Sequence, residues 1–314
     1  MNLINGHRLL RQLPIMRIYK LVVLYLFIFS TLPLSSNGLH YTFKVLTFDG
    51  SVLYKNDTTN QWVSVNIGTC LPAHSLVKVN AKGYLGLVDS SGKTYTLQKG
   101  TYEIDQLVGK VGGQSRDVAA KYADLFIERT KTNVTAKPQE RERSTEEREL
   151  KMLLPSSVDV FSPEVILRWK DKEPIDQNYE VVFKNMFDEV IMIRQAEGTR
   201  LVLNFEDSQV ARERLLIVSV HKKNQKSLQS SNYGIKQMTD EEAALIEEEL
   251  EELKLEFTGQ EAILDMLILA SFYEQNNLLA DALTTYERVI ELAPEVTAFK
   301  TAYDQFVFRN GLGL

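Results

Sequence analysis

In two stretches, residues 40–107 and 155–222, apolar and polar side chains alternate in short runs; from residue 239 onward the apolar ones recur three and four apart. The first pattern is that of half-buried strands and the second that of amphipathic helices. A chain that exhausts its strand pattern before its main helical pattern begins is expected to be a multidomain α+β protein. Its 314 residues leave room for two or three domains.

Residues 40–107 are expected to form a small all-β domain. Strands are placed near 41–47, 51–55, 61–66, 75–79, 84–89, 93–98 and 101–104, with turns at Asp49-Gly50, Asn56-Asp57, Gly68, Ser90-Ser91-Gly92 and Lys99-Gly100. Trp62 lies in an alternating run, which makes it a core or half-core residue; its functional alternative is a platform on which a sugar or another ring stacks. The single cysteine, Cys70, excludes an internal disulfide and is read as a small buried hydrophobe. Asp89-Ser90-Ser91-Gly92 is read as a tight turn rather than a cation site.

The residues Gly50, Val52, Trp62, Val65, Gly68, Leu71, Val79, Leu85, Leu87, Asp89, Gly92, Thr94 and Leu97 follow one another in an order that resembles the FecR-like periplasmic β domain. The resemblance implies an extracytoplasmic β module. Members that signal inward carry a sizeable cytoplasmic segment before their membrane helix, whereas only residues 1–20 precede the apolar run here. The module is therefore expected without the inward signalling.

Residues 108–151 read as a helix and a charged linker. Gly109, Gly112 and Gly113 lack the Gly-Lys-Ser/Thr ending of a phosphate loop and read as a joint. A helix is expected over 116–130, with Val118, Tyr122, Leu125 and Phe126 on one face, followed by mixed charge from Lys131 to Lys151. Residues 155–222 then give strands near 158–161, 165–169, 179–184, 188–193, 199–204 and 214–220. Six short strands fit an immunoglobulin-like or fibronectin-like sandwich, with Trp169 in the core between its sheets.

The C-terminal part, residues 239–314, is expected to be helical. Thr239-Asp240-Glu241-Glu242 is a capping-box pattern ahead of a helix over 239–257 that carries Ala243, Ile246, Leu250, Leu253 and Phe257 on one side and glutamates on the other. Residues 263–296 resemble a tetratricopeptide (TPR) repeat: Ala270, Tyr273, Ala282, Tyr286, Val289 and Pro294 stand at its small, aromatic, apolar and terminating positions. The alanines allow close helix approach, the tyrosines fill the space between turns, and Asn276-Asn277 breaks the helices. Since one repeat cannot bury its own face, helices 239–257 and 297–309 are the expected neighbours. The resemblance implies a stack that binds protein segments or packs on other domains.

The N-terminus reads as an address. Arg17 and Lys20 precede the apolar run 21–29, and Ser30 to Gly38 supply a small-residue exit, the layout of a signal peptide spanning residues 1–38. The alternative is an uncleaved anchor helix, the one expected membrane contact. The formal charge is −6, and loss of Arg8, Arg11, Arg17 and Lys20 with the signal would leave −10. Acidity of this kind argues against nucleic-acid partners and against peripheral binding to anionic lipid.

Beyond the signal only His40, His74 and His221 remain, and neither a zinc-protease helix motif nor a serine elbow is present. No enzyme activity, cofactor or metal is expected. The expected function is that of an exported bacterial cell-envelope adaptor or scaffold with protein partners; the alternative is an extracytoplasmic sensor that binds a small ligand or glycan through the first β domain. Both rest on the expectation that the apolar side chains are consumed in three self-contained packing units.

Overall fold

Two short sheets are wound from the first β region. The computed structural model describes residues 42–55, 61–108, 117–132, 150–172, 177–257 and 262–313. Strands β1 (Phe43–Asp49), β2 (Val52–Lys55), β3 (Val63–Ser64), β4 (Cys70–Leu71), β5 (Leu76–Val79), β6 (Tyr84–Asp89), β7 (Thr94–Leu97) and β8 (Gly100–Glu103) pair antiparallel in the orders β4-β1-β6-β7 and β3-β2-β5-β8. Phe43, Val45, Val52, Val77, Leu85 and Leu87 face inward and form a core of their own. A short helix, α1 (Ile104–Val108), follows. The strands lie close to their expected places, and β4, too short to show alternation, is the addition.

Helix α2 (Asp117–Thr132) leads to β9 (Leu150–Met152), β10 (Ser157–Val160), β11 (Glu164–Asp171), β12 (Asn178–Lys184), β13 (Val190–Glu197), β14 (Arg200–Asn204), β15 (Leu215–Lys222), β16 (Gln225–Gln229) and β17 (Tyr233–Gln237). The larger sheet runs β10-β17-β15-β12-β13, with β16 paired to β15; the smaller runs β14-β11-β9. All pairs are antiparallel except β10 with β17. Trp169 of β11 meets Tyr179 of β12 edge-on at 5.4 Å, so the two sheets face each other through these buried rings. The expected position of Trp169 between sheets agrees with this.

The helical part comprises α3 (Asp240–Lys254), α4 (Ile263–Gln275), α5 (Leu279–Leu292) and α6 (Thr297–Arg309). Thr239 and Glu242 form the capping box of α3. Asn277 adopts φ +58° between α4 and α5, a left-handed conformation that asparagine tolerates well. The architecture is thus α+β, with antiparallel sheets followed by helices.

The expectation of three self-contained units is corrected by the core. Tyr122 and Phe126 of α2, Val165 and Trp169 of β11, Phe183 of β12, Leu267 of α4, Leu283 of α5 and Phe306 of α6 belong to one continuous hydrophobic cluster. The physical reason lies in α4: it is apolar around most of its circumference, and a helix of that kind needs cover on every side. The described residues between 42 and 313 group into one compact unit. The signal or anchor segment 1–38, His40, the Asn56-Asp57 turn, the joint at Gly109, Gly112 and Gly113, and the charged run 133–149 lie outside the described residues.

Candidate functional site

The helical hairpin α4–α5 is where the parts of the chain meet, and its polar side chains point into seams with the sheets. Asp281 of α5 is buried, and its carboxylate accepts the backbone N–H groups of Phe161 (3.1 Å) and Ser162 (2.7 Å) in the loop after β10. Burial raises the Asp281 pKa above the ordinary carboxylate range, against the pull of these hydrogen bonds. Three residues on, the Thr284 hydroxyl accepts the Ile166 N–H of β11 (2.7 Å) and donates to the Ala280 carbonyl (2.8 Å). One turn further, Glu287 receives the fork of Arg168. Spacing of this kind puts all three on one face of α5, and that face is covered by β10 and β11.

Helix α4 docks the first β region in the same manner. Asp265 is buried and accepts the Thr94 hydroxyl of β7 at 2.6 Å. Leu264 presses on Gly86 of β6 so closely that a Cβ there would lie 2.6 Å from its methyl. Gly92 holds φ +89°, and a Cβ on it would fall 2.6 Å from the Ala120 nitrogen of α2. Two glycines of the first β region thus serve close helix approach. Two helix N-termini are capped from elsewhere in the chain: Asp49 at the end of β1 accepts from Thr297 N (2.8 Å) and its hydroxyl (3.0 Å), and Glu256 accepts from Ala119 N (3.1 Å).

Ala270, Tyr273, Ala282, Tyr286 and Val289 are all buried, and Pro294 lies exposed just beyond α5. Tyr286 stacks at 5.1 Å on Phe306, and Tyr273 lies 6.3 Å from Phe161. Burial raises the phenol pKa of both, that of Tyr273 to about 12. They are packing groups.

Two expectations fail at the surface. Trp62 is 42% exposed, with the Lys55 amine 5.5 Å above its ring. It precedes β3, a two-residue strand at the edge of its sheet whose Val63 and Ser64 are exposed as well. Of its two readings the platform is the one compatible with this placement. Cys70 is exposed because it sits on β4, likewise an edge, where the inward position belongs to Leu71.

Among the described residues no group of three or more His, Cys, Asp or Glu side chains is placed to hold a metal. His74 pairs with Asp105 at 2.6 Å on the surface, and His221 lies 2.9 Å from the Ser219 hydroxyl. A cavity of about 380 Å³ opens at the seam of the first β region with the helices, lined by Tyr84, Thr96, Gln98, Leu264, Leu292 and Val296 among others. That volume is within the range of small-molecule sites.

Sequence reasoning missed Asp281, Thr284, Glu287 and Asp265. Only Asp265 carried a signal, as a polar residue among the apolar helical neighbours Ile268, Leu269 and Phe272; Asp281, Thr284 and Glu287 share a polar side of α5 with Arg288 and Glu291, which in sequence reads as a solvated face. No protein-family model matches the sequence, and no curated protein matches it significantly.

Proposed function

We propose that this chain is an exported, non-catalytic adaptor of the bacterial cell envelope that engages protein partners through its β surfaces, while its TPR-like helical hairpin acts as an internal hub. The observation that carries the reading is the covering of α5: Asp281, Thr284 and Glu287 are taken by the chain's own loop after β10 and by β11, so this face of the hairpin has no room for a peptide. A partner is then left the sheets. Trp62, 42% exposed at the edge of the FecR-like module, is of the residue type enriched in binding hot spots. The basic, apolar and small-residue order of residues 17–38 supports export. The middle sheets, facing each other through Trp169 and Tyr179, support an immunoglobulin-like spacer.

The test is retention of envelope proteins on the immobilised chain. A discrete band kept by the native protein and lost with Trp62→Ala is the expected outcome. Equal retention by both would remove Trp62 from the contact, and no retention by either would remove the adaptor reading.

A second reading, ligand sensing, is favoured by the seam cavity, whose walls come from two parts of the chain. A ligand there would bridge the β module and the helices. A thermal shift with a panel of small glycans, abolished when Gln98 is replaced by a bulky residue, is its expected signature.

A further inference from the structure

The seam cavity continues past Tyr84 into a second hollow. A space of about 240 Å³ adjoins the one of about 380 Å³, and the two share Tyr84, Gln98, Glu295 and Val296 in their walls. The inner chamber is walled by the aliphatic side chains of Ile263, Leu264, Leu292 and Val296; Leu292 is 49% exposed, so part of that wall faces open space. Polar groups stand beside it: the Gln98 amide and the Tyr84 and Thr96 hydroxyls, the latter two 3.5 Å apart. The outer chamber carries Asp49, Lys82, Lys99 and Glu295.

The frame around these groups is fixed by hydrogen bonds. Pairing of Val79 with Gly100 sets the turn before β6 beside the turn before β8, which brings Lys82 and Lys99 to one rim. The first of these turns is tied down by Asn80, whose backbone N–H (3.1 Å) and side-chain amide (3.0 Å) both donate to Ser51. On the helical side Glu295 stands in the link between α5 and α6, and the end of that link is held to β1 by the bond from Thr297 to Asp49. A site assembled before its ligand arrives loses less entropy on binding.

The lining selects the occupant. Asp49 is engaged by Thr297 and Thr94 by Asp265, but among the described residues the side chains of Lys82, Gln98, Lys99 and Glu295 have no hydrogen-bond or ion-pair partner. Two ammonium groups on one rim suit an anionic group, held by charge-assisted hydrogen bonds. Gln98 offers both a donor and an acceptor, the complement of an amide; Glu295 only accepts, so it suits hydroxyl or N–H groups rather than a second anion. The aliphatic inner wall suits a small apolar substituent. A fatty acid supplies an anion and an apolar part, but it would bury the Gln98 amide and the two hydroxyls without partners.

We propose that this two-chambered seam binds a small acidic glycan whose sugar also bears an acylamino group. The acyl methyl lies in the inner chamber, the amide meets Gln98, and the carboxylate meets Lys82 and Lys99. The inference rests on the ligand-sensing reading of the same cavity and names its ligand class.

Isothermal titration calorimetry of the full chain with three sugars tests it. N-acetylmuramic acid carries both a carboxylate and an acetylamino group, N-acetylglucosamine lacks the carboxylate, and glucuronic acid lacks the acetylamino group. N-acetylmuramic acid is expected to bind at least about tenfold more tightly than either, since each missing group removes one favourable contact. Lys82→Gln combined with Lys99→Gln is expected to erase the gap to N-acetylglucosamine with an unchanged circular dichroism spectrum. Leu292→Ser is expected to narrow the gap to glucuronic acid instead. Equal binding of the three sugars, or a carboxylate preference that survives in the lysine variant, overturns the ligand class and leaves a ligand site in the seam. Binding of other small glycans without these three does the same. A chain that binds no glycan at all overturns both the class and the ligand-sensing reading.

Discussion

The carboxylate of Asp281 accepts the backbone N–H of Ser162 at 2.7 Å, joining helix α5 to a loop 119 residues earlier in the chain. Removing it in Asp281→Ala orphans two part-buried backbone donors, each worth roughly 1–3 kcal/mol when fully buried and unpaired, so a loss in the lower half of that summed range, about 2–4 kcal/mol, is expected in urea unfolding. Asp281→Asn keeps one acceptor and is expected to lose less.

The same residue sets a pH dependence. Its pKa is raised by burial, so the folded chain holds the proton more tightly than the unfolded one. The stability it contributes is therefore largest in acid, below the ordinary carboxylate value, and falls as pH rises through the elevated folded value. Asp281→Asn is expected to flatten that decline, as read from denaturation midpoints measured across the mildly acidic range.

Glu249 of α3 behaves in the opposite sense. Burial works against its charge, but hydrogen bonds from Lys121 and Tyr122 of α2, both 2.8 Å, prevail and lower its pKa. Its contribution is present at neutral pH and is lost as pH falls through the depressed value. Glu249→Gln is expected to unfold less steeply with acid, and hydrogen exchange at α3 is expected to report the change first.

Gly92→Ala is expected to be among the costliest turn changes, about 2–3 kcal/mol or more, because it combines a left-handed backbone with a steric meeting against the backbone of α2. Gly198→Ala, at φ +81° with nothing within 4 Å of the added carbon, isolates the backbone part. The difference between their melting temperatures measures the helix contact.

Most strands were legible because their apolar positions alternate, as in Phe43-Lys44-Val45 and Tyr179-Glu180-Val181. Those that were not carry too little pattern. Leu150–Met152 is three residues at the end of a charged run, Gln225–Gln229 is nearly all polar, and Tyr233–Gln237 buries only Ile235. The helices α4, α5 and α6 stand where spacing put them, since Ala270, Ala282 and Phe306 repeat on packed faces. What covers those faces was not legible. Periodicity reports that a face is buried, and the covering group, such as the N–H of Ser162, has no side-chain signature at all. Trp62 was misplaced for a related reason: alternation marks a strand but not whether a second layer lies over it.

Asp49 caps the first turn of α6 at Thr297, 248 positions further along the chain. A nascent polypeptide therefore emerges with its first described strand unable to find that partner until Thr297 has been made, 248 positions later. Long-range closure of this sort is slow and has to wait for the α6 segment to emerge. Shortening the C-terminus by even one helix would deprive the earliest-made strand of its lock, so truncation damage should surface at the opposite end of the sequence.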